Sequence, residues 1–275
     1  MSLAAVALLF SSGCSAQTTA EWKRIGMPEP ATDRADHALS LWQGTWIAAL
    51  AVGVLVWGLI IWSVIAYRKR SEAVPAQTRY HVPIETLFTV VPFIIIAVLF
   101  FFTVRDQNAI LHVDKQNPPT HQINAVGQQW AWTFNYSEKG ERPSEGVWET
   151  GTPSDLPTLY LPVNEPVGVT LTTPDVIHSF FVPAFLFKMD VIPGKPNYFE
   201  FTPTKEGVYD GKCAELCGAY HSRMLFKVHV VSEAEYDQHL ADLRERGQTG
   251  EAEGAPWIQP GHEQAAGTEG EGTNQ

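Results

Sequence analysis

The chain has 275 residues, of which 45% are apolar and 18% charged, with a formal charge of -11; that length allows one or two domains with a sizeable core. The acidity is local, because the stretch from Ser232 to the end holds ten acids against two bases. No basic patch stands outside one short loop, which excludes nucleic acid as a natural partner.

Met1 to Phe10 is a short apolar run followed by Ser11-Ser12-Gly13-Cys14. A small-residue site behind an apolar run reads as an export signal over residues 1–13. Small residues directly before a cysteine also resemble a bacterial lipoprotein box, which makes Cys14 the expected lipidation site and the mature N-terminus. Ser11 stands where such boxes usually carry Leu, and no basic residue precedes the run. Residues 14–42 form a polar lead-in containing Pro28 and Pro30.

Two uncharged apolar blocks follow, Thr45–Tyr67 and Thr86–Val104. Each is near the ~20 residues needed to cross a bilayer. Together they predict a transmembrane hairpin over 43–105, with a connecting loop over 68–85. Arg68, Lys69, Arg70 and Arg79 lie in that loop, so the positive-inside rule places it in the cytoplasm and everything else outside. Glu85 opens the second crossing and Pro92 lies within it.

From His121 the apolar period becomes that of strands. Val167, Val169 and Leu171 alternate with Gly168, Thr170 and Thr172, and Phe226, Val228 and Val230 alternate with Lys227 and His229. Turn signals recur at Pro162-Val163-Asn164, Pro193-Gly194-Lys195 and Lys205-Glu206-Gly207. Many short strands with such turns predict an all-β sandwich over 120–232. A short helix over 233–246 is expected, capped by Ser232 with Glu233 and Glu235 near its positive end. Residues 247–275 are rich in Gly, Glu, Gln and Ala and are expected to lack structure; Trp257 and Ile258 are their only sizeable apolar pair.

The chemistry is concentrated in Cys213-Ala-Glu-Leu-Cys217-Gly-Ala-Tyr-His221-Ser-Arg-Met224, with His178 upstream. Soft sulfur ligands with imidazole favour copper over hard cations. A mononuclear blue-copper site uses one cysteine; a second in the same loop points to two copper ions bridged by two thiolates. Each ion then has one imidazole, with Met224 and the Glu215 carbonyl as weak axial ligands. Such a closed site suits electron transfer, whereas catalytic metal sites keep a position open. A disulfide would leave the spacing of His178, His221 and Met224 unexplained. Zinc has no use for Met and more often takes Cys-x-x-Cys pairs, and the Cys-x-x-Cys-His run of haem attachment is absent.

The chain resembles subunit II of haem–copper cytochrome c oxidases over roughly residues 40–245. The resemblance is carried by His178-Ser-Phe-Phe-Val-Pro183, the run from Gly211 to Met224, Glu85-Thr86 with the Pro92 crossing, and Gln129-Trp130-Ala131-Trp132. The lipid-type N-terminus and acidic tail look actinobacterial. The resemblance implies a two-helix membrane hairpin followed by a cupredoxin-like Greek-key sandwich holding the dinuclear copper centre CuA. It assigns the copper ligands to His178, Cys213, Glu215 (through its carbonyl), Cys217, His221 and Met224. It also implies a Mg or Mn ion bound by the Glu215 carboxylate at the contact with subunit I, electron uptake from cytochrome c through Trp130, and Glu85 at the mouth of a proton path. The implied partners are subunits I and III, the lipid bilayer, and a soluble or membrane-bound cytochrome c, the latter in a supercomplex with a bc complex. Asp175 falls where the family often has an acid near the docking surface.

Two departures stand out. Ala131 replaces the middle tyrosine of the usual Trp-Tyr-Trp cluster, and Pro174 stands where many members carry an acid. Glu138, Glu141, Glu145, Glu149 and Asp155 crowd a nearby segment and are expected to compensate. His112, His121, His229 and His239 show no partner pattern and read as surface or loop residues, while Lys188 and Met189 read as packing. A copper-delivery protein, a quinol oxidase subunit II and a nitrous oxide reductase are the competing readings. The first conflicts with so tight a ligand set. The second lacks the copper, and the third needs a further domain.

Overall fold

The structure, a computed structural model, describes residues 16–72, 74–75, 77–138 and 145–252. The signal segment, Cys14, Trp257 and Ile258 lie outside the described residues. The chain divides into two units: one holds the helical N-terminal part to His112, and the other holds Val113 onward together with Ala31–Asp33.

The first unit contains α1 (Ala16–Arg24), α2 (Ala35–Ala66) and α3 (Val82–Ile110). Both long helices overrun the predicted spans, because polar residues at their ends continue the helical hydrogen bonding outside the apolar blocks. Their side chains face outward almost throughout, from Ile47 to Ile65 and from Ile84 to Phe101. That is the inverse of a soluble bundle and is what a lipid solvent selects. The ends away from the connecting loop are tied by the Arg34 Nη1 donation to the Ala109 carbonyl at 2.7 Å and by His37 Nδ1 lying 3.7 Å from buried Asp106. Asp106 is also held by Arg105 at 2.8 and 3.1 Å. At the start of α3, Glu85 Oε1 accepts from the His81 amide at 2.7 Å and His81 Nδ1 accepts from the Ile84 amide at 3.4 Å. The Glu85 carboxylate thus helps close the helix N-terminus, where a negative charge is favoured.

The second unit is a sandwich of two five-stranded sheets. Its strands are β1 (His121–Gln128), β2 (Ala131–Glu138), β3 (Val147–Thr150), β4 (Thr158–Pro162), β5 (Val167–Thr172), β6 (His178–Val182), β7 (Phe187–Val191), β8 (Asn197–Phe201), β9 (Gly207–Cys213) and β10 (Leu225–Val231). One sheet runs β3-β2-β1-β5-β8 and the other β4-β10-β9-β6-β7. β1 pairs parallel with β5 and β10 with β4, the other pairs being antiparallel. The inward faces meet in an aromatic core: Trp132, Phe134, Phe180 and Phe226 are buried, and Phe226 lies 5.0 to 5.5 Å from the other three ring centroids. Gly211 makes room for it, since a Cβ there would sit 2.2 Å from the Phe226 ring.

Three expectations change here. α4 (Glu233–Glu245) does begin with a capping box, Ser232 and Glu235 satisfying each other's amides, but the chain beyond it is ordered further than composition suggests. The Gln248 carbonyl accepts from the Trp148 amide at 3.1 Å, Thr249 bridges Val147, and Asn135 exchanges two hydrogen bonds with the Ala252 main chain at 2.7 and 3.0 Å. Backbone pairing with an open sheet edge orders a segment too polar to fold alone. The histidines differ too. His121 is buried in β1 beside Tyr236, and His239 stacks on Tyr160 at 3.7 Å with Nε2 3.2 Å from Glu149. His229 stands in β10 against the same Tyr160, and burial pushes its pKa down. Only His112 is the exposed residue expected. Met189 does pack against the core, whereas Lys188 is exposed.

Candidate metal centre

The site forms at one end of the sandwich, from the start of β6 and the loop joining β9 to β10. Cys213 ends β9, His178 opens β6, and the loop between strands supplies Glu215, Cys217, His221 and Met224. The sequence-predicted ligands converge. The two sulfurs stand 3.8 Å apart, both cysteines free and buried. That is nearly twice a disulfide length. His178 Nδ1 lies 3.9 Å from Cys213 Sγ, and His221 Nδ1 lies 3.6 Å from Cys217 Sγ. The Glu215 carbonyl is 3.2 Å from Cys213 Sγ, and Met224 Sδ is 3.8 Å from Cys217 Sγ. Two thiols, two imidazole nitrogens, a thioether and a carbonyl therefore gather in one place, where His178, Cys213, Cys217 and Met224 are buried. The donor set suits soft, redox-active copper.

The protonation pattern follows from this crowding. A hydrogen bond with Cys217, helped by His178 and nearby main-chain donors, outweighs burial and pulls Cys213 down to about 3. The same contact pushes Cys217 up.

The surroundings are as ordered as the ligands. Asp175 Oδ1 binds His178 Nε2 at 2.8 Å, which leaves Nδ1 turned to the sulfurs. A carboxylate behind a ligating imidazole sets its tautomer and orientation. Burial opposes both charges, but hydrogen bonding wins: His178 is raised by Cys213 and Asp175, and Asp175 is lowered by His178 and by the Gln129 and Val176 amides. Asp175, expected near a docking surface, is exposed and also engages a predicted ligand. Gln129 links both arms of the site, since its amide N–H donates to Asp175 Oδ2 and its side chain donates to the Cys217 carbonyl, each at 2.6 Å. Trp130 Nε1 donates to that carbonyl at 3.2 Å, and the Trp130 ring meets Tyr220 edge-on at 5.0 Å.

Glycines permit these approaches. Gly218 has φ +123°, and a Cβ there would lie 3.0 Å from the Trp130 ring and 3.1 Å from Gln129 Nε2. At Gly127 a Cβ would lie 3.2 Å from the His178 ring. Sequence reasoning missed the roles of Gln129 and Gly218; an acid three residues before the upstream histidine was the available signal for Asp175. Of the acids expected to compensate for Pro174, Glu149 is half-buried and engaged with Thr158 and His239. Glu141 lies outside the described residues.

Comparison with known proteins decides the family. Residues 121–231 match the sequence profile of the cytochrome c oxidase subunit II periplasmic domain, and 20–105 match that of its transmembrane domain. The probable cytochrome c oxidase subunit 2 of Streptomyces avermitilis is 48% identical, over 90% of this chain and 86% of that protein. The chain belongs to the cytochrome c oxidase subunit II family. Its Mycobacterium tuberculosis relative is 36% identical over 83% of this chain and 77% of that one. The solved periplasmic domain of subunit II from Bradyrhizobium japonicum is 31% identical, covers 47% of this chain and 97% of that domain, and superposes with a TM-score of 0.42. Family membership makes the chain a twice-spanning membrane subunit of an oxidoreductase, associated with other oxidase subunits and carrying copper in a cupredoxin-like domain.

Proposed function

We propose that this subunit II takes electrons from a reduced cytochrome c on the outer side of the cell membrane and delivers them to haem in subunit I. One observation carries the reading: two open cysteine sulfurs 3.8 Å apart, each flanked by a histidine Nδ1 within 3.9 Å. Cys213, Cys217, His178, His221, Met224 and the Glu215 carbonyl would hold the two copper ions. When bound, the dinuclear copper supplies a centre that gains and loses one electron with little rearrangement, feeding a complex that reduces oxygen to water and pumps protons.

The residues around it hold that centre and connect it outward. Asp175 orients His178, and Gln129 ties the Asp175 arm to the Cys217 arm. Trp130 offers its ring to the donor and its N–H to the Cys217 carbonyl, giving a continuous bonded route inward. Leu216, Val176 and Ile177 are 78%, 37% and 45% exposed beside ligand positions, and such apolar surface suits a transient docking partner. The donor is a soluble cytochrome c or the membrane-bound cytochrome of a bc complex in a supercomplex. The Glu215 carboxylate binds Mg or Mn at the contact with subunit I, and subunit III completes the assembly.

The basic loop Arg68–Arg79 supports a cytoplasmic connection with the copper domain outside. Residues 1–13 are the signal, Cys14 carries lipid, and Glu85 stands at the mouth of a proton path. Metal analysis of the assembled oxidase, with paramagnetic resonance of this chain's copper, tests the central reading. Two coppers sharing one unpaired electron are expected. Zinc or a single copper ion overturns it, and one Cu(I) readily lost to chelator favours copper delivery instead.

A further inference from the structure

Three observations in the helical unit concern α1, which has no part in the copper chemistry. The first is a depth scale. Arg105 is the first charge after the apolar block of α3, and its neighbour Asp106 lies across from His37 of α2 at 3.7 Å. His37 therefore marks the polar boundary on α2. Trp42 lies five residues further along, about 7.5 Å toward the bilayer centre at ~1.5 Å per residue.

The second is an anchor. Trp42 Nε1 donates to the Ile25 carbonyl at 3.1 Å, and Gln43 Nε2 donates to the Lys23 carbonyl at 2.8 Å. Both acceptors belong to the end of α1 and the turn that leaves it. Even if those side chains reach upward by several ångströms (roughly the length of an indole, about 6 Å), the C-terminal end of α1 sits at the charge boundary and not in open water.

The third is the surface of α1. Trp22, one turn before the anchor, is 75% exposed, while Lys23 and Arg24 fill the last turn. The remaining residues are small or polar, Thr18, Thr19 and Glu21 among them. One aromatic ring amid polar side chains is too little apolar area for a stable protein contact. A Trp with adjacent cations is the composition favoured at a membrane–water interface. Trp42 and Trp46 meet edge-on at 5.7 Å at the same end of α2 and continue that aromatic level.

We propose that α1 lies in the headgroup layer of the leaflet that α2 enters first, with Trp22 among lipid and Lys23 facing lipid phosphates. The proposal rests on the two membrane spans and is independent of the copper site and of acylation at Cys14.

Photocrosslinking in the assembled oxidase, in its own membrane, tests it. Benzoylphenylalanine replaces Trp22 in one variant and Trp57, in mid-span, in a control; copper content confirms assembly of both. Illumination followed by mass spectrometry of the residue-22 peptide is expected to give lipid-mass adducts as the main product. An adduct to another polypeptide overturns the proposal by showing a protein-covered helix. Absence of any adduct at position 22, with the Trp57 probe reacting, overturns it by placing the helix in water.

Discussion

At the scale of single residues, the two cysteines are not equivalent to their neighbours. Cys217→Ser removes one bridge and leaves Cys213 buried beside a hydroxyl; the dinuclear resonance signal should vanish while the sandwich stays folded, as circular dichroism and metal count will show. Asp175 acts through His178. Asp175→Ala is expected to weaken copper affinity roughly 10- to 100-fold, as the loss of a carboxylate behind a ligating histidine does, with two coppers still bound at saturation. Competition titration with a chelator measures this. Trp130→Phe keeps an aromatic ring but loses the N–H to the Cys217 carbonyl. Gln129 Nε2 still holds that carbonyl at 2.6 Å, so the copper spectrum should be unchanged while stopped-flow reduction by cytochrome c slows. An unaltered rate would remove Trp130 from the route. The ligands themselves were legible because their residue types and spacing carry the chemistry. Gln129 was not, because an amide has no distinctive pattern until folding sets it beside two loops 46 and 88 residues away in sequence.

Secondary-structure elements show where sequence patterns succeed and where they stop. The two crossings were legible as uncharged apolar blocks, and the Ser232 cap of α4 was legible too, though not the reciprocal bond from Glu235. Strand alternation revealed β5 and β10. The order at Gln248–Ala252 was hidden, because it comes from the unpaired edge of β3 and from Asn135, not from the segment's own composition. Asn135→Ala removes both side-chain hydrogen bonds to Ala252. At about 1 kcal/mol each, the loss should free the strap without unfolding the domain. Faster proteolysis near residue 250 with an unchanged copper spectrum is the expected result, and an equally resistant strap would show that the remaining main-chain bonds and the Asn124–Glu251 contact hold it without Asn135. The histidines His121 and His239 were misjudged for a related reason. Their rings sit on Tyr236 and Tyr160, partners that become neighbours only when α4 packs on the sandwich.

For the molecule as a whole, one sheet ends weakly where the ligands meet. β6 and β9 share only the register pairs Phe180–Cys213 and Phe181–Lys212, whereas β1 and β2 pair along eight positions. Cys213 belongs to that short ladder, and His178 lies two positions beyond its Phe180 end. A bound ion would act as a staple between two strands joined there by a short ladder and by the Ala214 N–H donation to the Ser179 carbonyl at 3.0 Å, in the sense that ligand binding free energy becomes folding free energy. Stripping the metal should raise amide exchange over 175–180 and 213–224 and leave β1, β2 and β5 protected. Hydrogen-exchange mass spectrometry of loaded and chelated protein reads this directly, and uniform protection in both states would show that the strands close without help. Copper loss in this chain would then be felt first as fraying at one corner, with the aromatic interior keeping its shape and the empty corner still able to be refilled.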